Sequence, residues 1–409
     1  MGALTGASLA NALGGSWRKR AGGKSFVVSR RADPGQLHGA DRVGAFADRL
    51  RDAVSGASLV SREARAPFVF FDLETTGLSG GAGTHAFLVG CGWFDEDGGF
   101  VTEQHLMVDY ASERAMLRVV ADDLARTATL VTFNGKSFDA PVLETRYLFH
   151  RLESPCARLP HVDLLHPARR FWASTNGEGC SLAALERRLL GARRSDDVPG
   201  VEIPARYFQF IRSGDPRPLA GVLEHNRLDL LSLAGLTARL FHLAEAGPQV
   251  VRHATEALAL GRVYEREGLE DRAEEAFGRA IALSTDTLTT ADARRALALA
   301  ARRRRQYEAA AVEWRHLIDL RGCPGPILRE AVEALAIHHE HRARDLAVAR
   351  TFALRGLEME AEEARGDAIR HRLARIERKM TNERRALLPS SPPLPLSSGS
   401  PMSEPRTSS

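Results

Sequence analysis

The rhythm of apolar and polar positions changes twice along the chain. Up to residue 65, glycine, serine and arginine dominate, with one strand-like run at 25–29. Residues 1–65 therefore read as an N-terminal arm, partly disordered. At Pro67 the character changes. Phe68-Val69-Phe70-Phe71 is a continuous apolar run, the pattern of a central strand buried on both faces. A glycine-dense loop, 77–83, follows. Residues 86–94 and 100–108 then read as strands, joined by Asp95-Glu96-Asp97-Gly98-Gly99, a hairpin signal. Residues 112–126 have helical spacing, 129–133 and 161–165 are further strand candidates, and 139–150, 182–190, 205–211 and 219–243 read as helices. Three strands in hairpin order followed by strand–helix alternation predict a mixed α/β sheet with flanking helices over 66–245.

From about residue 250 the strand signals stop and a repeat begins. The first unit carries Leu260-Gly261, Tyr264, Gly268, Ala273, Phe277 and Ala280. A second carries Leu297-Ala298, Ala301, Ala310, Trp314 and Leu317, and a looser third carries Leu335-Ala336, His339, Val348 and Phe352. The spacing of the first resembles the tetratricopeptide pattern, so 250–380 reads as an all-α tetratricopeptide-like repeat domain. An ordinary antiparallel helical bundle is the alternative. Residues 381–409 end in SSPPLPLSSGSPMSEPRTSS. Such a tail has too little apolar surface to offset the entropy of ordering and is expected to be disordered.

Charge adds one fact. Of 56 basic residues only Lys19, Lys24, Lys136 and Lys379 are lysines, against 52 acidic residues and a net charge of +4. That balance permits a nucleic-acid partner without requiring one. The four cysteines form no C-x-x-C pair, which argues against a cysteine zinc site and fits a reducing compartment. No apolar run approaches the roughly 20 residues of a membrane span. The first residues lack a basic segment before their weak apolar stretch, so no signal peptide is expected and the expected location is cytoplasmic.

The candidate chemistry is acidic. Asp72 and Glu74 stand two apart at the end of the first buried strand, so both point to one face, where like charges repel unless a cation lies between them. Alone, a D-x-E is common and reads first as a solvated strand end. In LVTFNGKSFDAPVL, a strand leads through the Asn134-Gly135 turn to Asp139 near a helix start, where it could equally be a cap. In VLEHNRLDLLSL, His225 and Asp229 are four apart on one helical face. Asp229 lies among leucines, where an unpaired carboxylate is costly, so a buried partner such as a metal is favoured over a solvated stripe.

The order D-x-E, N-x-x-x-F-D, H-x-x-x-D resembles the DEDD exonucleases of the ribonuclease-H-like superfamily. Within it, the stretch GCSLAALERRLLGARRSDDVPGVEIPARYFQFIRSGDPRPLAGVLEHN is similar to the YprB-like group, bacterial proteins that join such a domain to tetratricopeptide repeats. The resemblance implies that Asp72, Glu74, Asp139 and Asp229 hold two divalent cations, Mg2+ or Mn2+, for an in-line displacement. His225 would orient or deprotonate the attacking water. The implied activity is 3′–5′ exonucleolytic hydrolysis of single-stranded DNA or RNA, with a protein partner possible on the repeats. A non-cleaving nucleic-acid-binding scaffold and a structure-specific endonuclease are the alternatives. His225 stands at the spacing that the superfamily's tyrosine branch uses, so a supporting role beside the ligands stays open for it.

Smaller signals surround this set. Lys136, inside an arginine-dominated chain, and Asn134 are candidates for contact with substrate phosphate; a surface lysine and a plain turn are the alternatives. Asp163 reads as a structural strand-end carboxylate rather than a further ligand. His85 and His166 have no metal-site spacing. The Arg302–Arg305 run reads as a solvated helix face.

Overall fold

The computed structural model describes residues 6–20, 23–52, 56, 59–62, 64–77, 83–125, 127–172, 179–359 and 363–387. The glycine loop is described only at its ends, and the Pro/Ser-rich tail beyond residue 387 lies outside the described residues. The chain divides into two compact units, Met1–Ala293 and Arg294–Ser409.

The described residues of the first unit form nine strands: β1 (Ser16–Arg20), β2 (Gly23–Ala32), β3 (Leu37–His38), β4 (Asp41–Arg42), β5 (Phe68–Thr75), β6 (Ala86–Phe94), β7 (Phe100–Leu106), β8 (Thr129–Thr132) and β9 (His161–Asp163). Seven of them form one sheet in the order β1-β2-β7-β6-β5-β8-β9, while β3 and β4 pair separately. The pairings from β1 through β5 are antiparallel; β8 and β9 join in parallel. The expected mixed sheet is therefore present.

Within the arm, expected to be partly disordered, the described residues form regular elements. β2 pairs with β7 from Phe26↔Leu106 to Ala32↔Phe100. Phe26, Val27 and Val28 are buried, each worth about 1.5–3 kcal/mol relative to exposure. Helix α1 (Gly6–Leu13) adds Leu9 and Leu13 to the same core, and helix α2 (Val43–Asp52) buries Val43, Phe46, Ala47 and Leu50. The strand-like run at 25–29 is thus the inner part of a longer strand that pairs with β7.

β5 explains how the site is aimed. Its odd-numbered row, Val69, Phe71 and Leu73, enters the core with Met116, Leu117 and Val120 of helix α3 (Glu113–Leu124) and Val142 and Leu143 of helix α4 (Asp139–Phe149). Its even-numbered row begins with Phe68 against Phe241 and Phe70 against Phe94 and Phe100. Asp72 and Glu74 continue that row. Strand alternation thus turns both carboxylates away from α3 and toward the long helix that carries Phe241.

Three helices come between β9 and that long one: α5 (Leu165–Trp172), α6 (Leu182–Leu185), which runs on into a wide π-turn over Glu186–Leu190, and α7 (Ile203–Ser213). The long helix is α8 (Leu219–Ala246), which stops at Gly247, whose φ of 89° suits glycine. Its stretch Leu230–Ala238 is buried without a break because the sheet and α2 both pack against the helix.

Helices α9 (Ala254–Arg266) and α10 (Glu270–Leu283) form the first helical pair. A Cβ on Gly261 would lie 2.4 Å from the Phe277 ring, so the pair needs a glycine there. Sequence had placed a boundary at 245–250, yet this pair belongs to the first unit. Buried Glu256 accepts from Trp172 Nε1 at 2.9 Å and Arg239 at 2.8 Å, and Tyr264 donates to the Ala244 carbonyl. Helix α11 (Thr287–Arg303) follows, and then α12 (Tyr307–Asp319), α13 (Gly325–His341), α14 (Leu346–Glu358) and α15 (Glu363–Leu387). Trp314, Leu317, Leu335 and Ala336 are buried in the second unit. Among the described residues no helix is long and apolar enough to cross a membrane.

Candidate active site

Four carboxylates from three elements meet at the C-terminal end of β5. Asp72 and Glu74 come from the strand, Asp139 opens α4 and Asp229 lies on α8. Burial pushes Asp72 well above the usual carboxylate range, and repulsion from Asp229, Glu74 and Asp139 adds to it. Glu74 is raised in the same way by burial and then by Asp229 and Asp139. Asp139 is pushed up to about 7, first by burial and then by Asp163. Hard divalent cations relieve such repulsion between oxygen donors. The Asp72 carboxylate thus feels the charges of the other three predicted ligands.

A neutral network fixes Asp72. Asn226 Nδ2 donates to Asp72 Oδ2 at 2.7 Å, while its Oδ1 accepts from Gln104 Nε2 at 2.9 Å. Gly90 is the register partner of both Asp72 and Gln104. A Cβ there would come within 2.3 Å of Asn226 Oδ1, so glycine is required for the amide to reach the carboxylate.

A charged network fixes Asp229 and His225. Arg194 Nη2 lies 2.5 Å from Asp229 Oδ1, 2.5 Å from Glu186 Oε2, and Nη1 lies 3.2 Å from Asp197 Oδ2. Buried Glu186, on the π-turn, also accepts from Ser232 Oγ at 2.7 Å. Burial raises Asp229, and the Arg194 and His225 charges oppose that rise. His225 Nδ1 sits 2.7 Å from Asp197 Oδ1, and its Nε2 sits 3.4 Å from Asp229 Oδ2. The predicted histidine is therefore at the acidic cluster and is itself held by a carboxylate.

Asn134 and Lys136 are placed on the exposed turn leading into α4. Asn134 adopts φ 68°, a conformation asparagine tolerates well. Asp163 Oδ1 accepts the Asn134 and Leu165 N–H groups at 2.8 and 3.0 Å, and Oδ2 accepts the Lys136 N–H at 3.0 Å. Asp163 thus holds the turn that delivers Asp139, matching its structural reading. Sequence reasoning missed Asn226, Gln104, Gly90, Arg194, Glu186 and Asp197. Asn226 alone had a local signal, as an amide inside an apolar helix. His85 bonds Glu113 at 3.0 Å beside Arg146 and His150 and is not part of the acidic cluster.

Residues 69–241 match the family model described as the RNase_H superfamily. That span contains every residue of the acidic cluster. A protein of Bacillus subtilis (strain 168) named "Uncharacterized protein YprB" is 34% identical to this chain over 318 residues, covering 76% of this chain and 75% of that protein. The superfamily supports a nuclease acting on nucleic acid, and its members typically use divalent metals, consistent with the donor set at β5, α4 and α8. The chain belongs to the YprB-like family of ribonuclease-H-like proteins.

Proposed function

We propose that the protein is a DEDD-type 3′–5′ exonuclease that hydrolyses single-stranded nucleic acid. The observation that carries this reading is the convergence of Asp72, Glu74, Asp139 and Asp229, with His225 beside them on the helix that supplies Asp229. The four carboxylates would hold two divalent cations, Mg2+ or Mn2+. Bound there, the ions supply Lewis-acid stabilisation of the attacking and leaving oxygens. Asn226 keeps the Asp72 carboxylate turned toward the cluster, and Arg194 does the same for Asp229. Asp197 holds His225 by Nδ1, leaving Nε2 to accept a proton from the attacking water. Water adds to phosphorus, the bond to the 3′ oxygen breaks, and that oxygen takes a proton. Asn134 and Lys136, exposed on the turn before α4, would meet backbone phosphate. The helical pairs after α8 fit tetratricopeptide-like repeats and a protein partner or an extended substrate path.

The test uses purified full-length protein and single-stranded DNA and RNA labelled at the 3′ or 5′ end, with Mn2+, Mg2+ or chelator. A metal-dependent ladder of 5′-labelled products supports the exonuclease. Discrete internal fragments would instead indicate an endonuclease. Retention of substrate without cleavage under every metal condition would overturn the catalytic reading.

A further inference from the structure

On the opposite face of the sheet lies a second group of ionisable side chains that the nuclease reading does not use. Along β7, Gln104 points to Asn226 and α8, so Glu103 and His105 point the other way, toward α3. There Asp123 of α3 meets them. One ligand atom from each of Glu103, His105 and Asp123 lies within 4.8 Å of the other two.

His105 is the anomaly. Its side chain is fully buried, yet among the described residues neither ring nitrogen has a hydrogen-bond partner. A buried imidazole with both nitrogens unsatisfied is costly, since each has given up its water without gaining a partner. Its Nε2 is 3.4 Å from Asp123 Oδ2, a contact without hydrogen-bond alignment. The distance has another reading. Two donors each about 2.1 Å from a tetrahedral ion stand about 3.4 Å apart.

The acidic partners are held in place from β1. Arg18 Nη2 lies 2.5 Å from Glu103 Oε1, and its Nη1 lies 2.5 Å from Glu103 Oε2 and 2.9 Å from Asp123 Oδ2. Arg18 contacts both carboxylates, and the Arg20 charge also acts on Asp123. Arg18, Glu103 and Asp123 also line a cavity of about 540 Å³, which gives an ion a way in.

The geometry points to a divalent transition-metal site formed by His105 Nε2, Glu103 and Asp123, separate from the nuclease centre. An imidazole with two carboxylates suits Zn2+ better than Mg2+, and the cavity side leaves the fourth position to water. Arg18 acts as the positioning residue that orients both carboxylates. The bound ion would tie β7 to α3, with Arg18 linking β1 to the same point. A shared proton between Glu103 and Asp123 is the competing occupant.

The experiment uses the full chain carrying Asp72→Asn and Asp229→Asn, so that the nuclease centre is disabled. This protein is stripped with chelator and titrated with Zn2+ by calorimetry, and with Co2+ by visible absorption. The expected result is one equivalent bound, a rise in Tm on binding, and d–d bands for Co2+. Adding Asp123→Asn should weaken binding at least about 100-fold and remove the bands, because a first ligand matters no less than an outer partner. His105→Asn should do the same; should it fail to fold, Asp123→Asn decides alone. Absence of a bound equivalent, or binding unchanged by Asp123→Asn, overturns the site and leaves the shared proton.

Discussion

Asp197 holds His225: Oδ1 of the loop carboxylate lies 2.7 Å from Nδ1 of the imidazole, and the opposite nitrogen faces Asp229. Asp197 precedes the histidine by 28 residues and is itself anchored by Arg194, so the orientation of the imidazole is decided off its own helix. On the proposed mechanism, His225→Ala should lower single-turnover cleavage by roughly 10²–10⁴-fold. Asp197→Asn should cost less in rate while changing the pH profile, since the ring stays in place with a weaker partner. An Asp197→Asn profile identical to wild type would show that the pairing is only structural.

Metal-free stability should fall as pH rises. Asp72, Glu74 and Asp139 bind protons more tightly in the folded chain than the ordinary values near 4 of an unfolded one. The stabilisation from these protons is present at low pH and is lost as pH climbs from about 4 through the Asp139 value near 7. Thermal melts in chelator should therefore show Tm several degrees lower at pH 8 than at pH 5.5. Asp72→Asn should flatten that slope and abolish cleavage, and Mn2+ should restore the wild-type Tm at pH 8. A wild-type Tm that does not move over this range would count against the crowded cluster.

The Asn226 amide can be tested apart from the ligands. Asn226→Ala should leave Asp72 free to turn and weaken metal binding by about 10–100-fold, read by calorimetry. Gly90→Ala should reproduce part of that loss from the neighbouring strand, because its Cβ would collide with Asn226 Oδ1 at 2.3 Å. Normal metal affinity in Gly90→Ala would mean that the amide has another route to Asp72.

Asp163→Ala should release the turn that presents Asp139, since one side chain accepts from the N–H groups of Asn134, Lys136 and Leu165. The Leu165 N–H is buried, and orphaning it costs about 1–3 kcal/mol, so both Tm and turnover should drop. Lys136→Ala keeps the backbone bond to Asp163 and should lower turnover with little change in Tm. Equal effects of the two substitutions on Tm would contradict this division of labour.

Fragment boundaries follow from the sheet. Residues 60–248 alone would expose β7 where Phe26 to Ala32 should pair, and should aggregate. Residues 1–293 keep the whole first unit and should be soluble and fold cooperatively, as judged by a single melting transition.

Much of this was legible in the chain. The run Phe68–Phe71 and the hairpin at 95–99 predicted β5, β6 and β7 because central strands carry their own apolar signal. The four carboxylates were readable because each sits at an element's end or on a polar break in an apolar helix. β2 was half visible, as Phe26-Val27-Val28, and its outer half, with Arg30 and Arg31, has no such signal. Arg194, Glu186 and Asp197 could not be singled out in an arginine-rich chain. Their role arises from the π-turn and loop that fold back on α8, a tertiary event with no periodicity to announce it.

The sheet ends in two strands that make poor templates. β9 contributes three residues, and β1 contributes five, of which Arg18, Lys19 and Arg20 are basic. A short border on one side and a charged one on the other disfavour addition of a foreign strand. Two copies of the protein meeting edge to edge would have to bring cations against cations or pair along a stub. The N-terminal hairpin therefore disfavours fibrous association between copies of the protein.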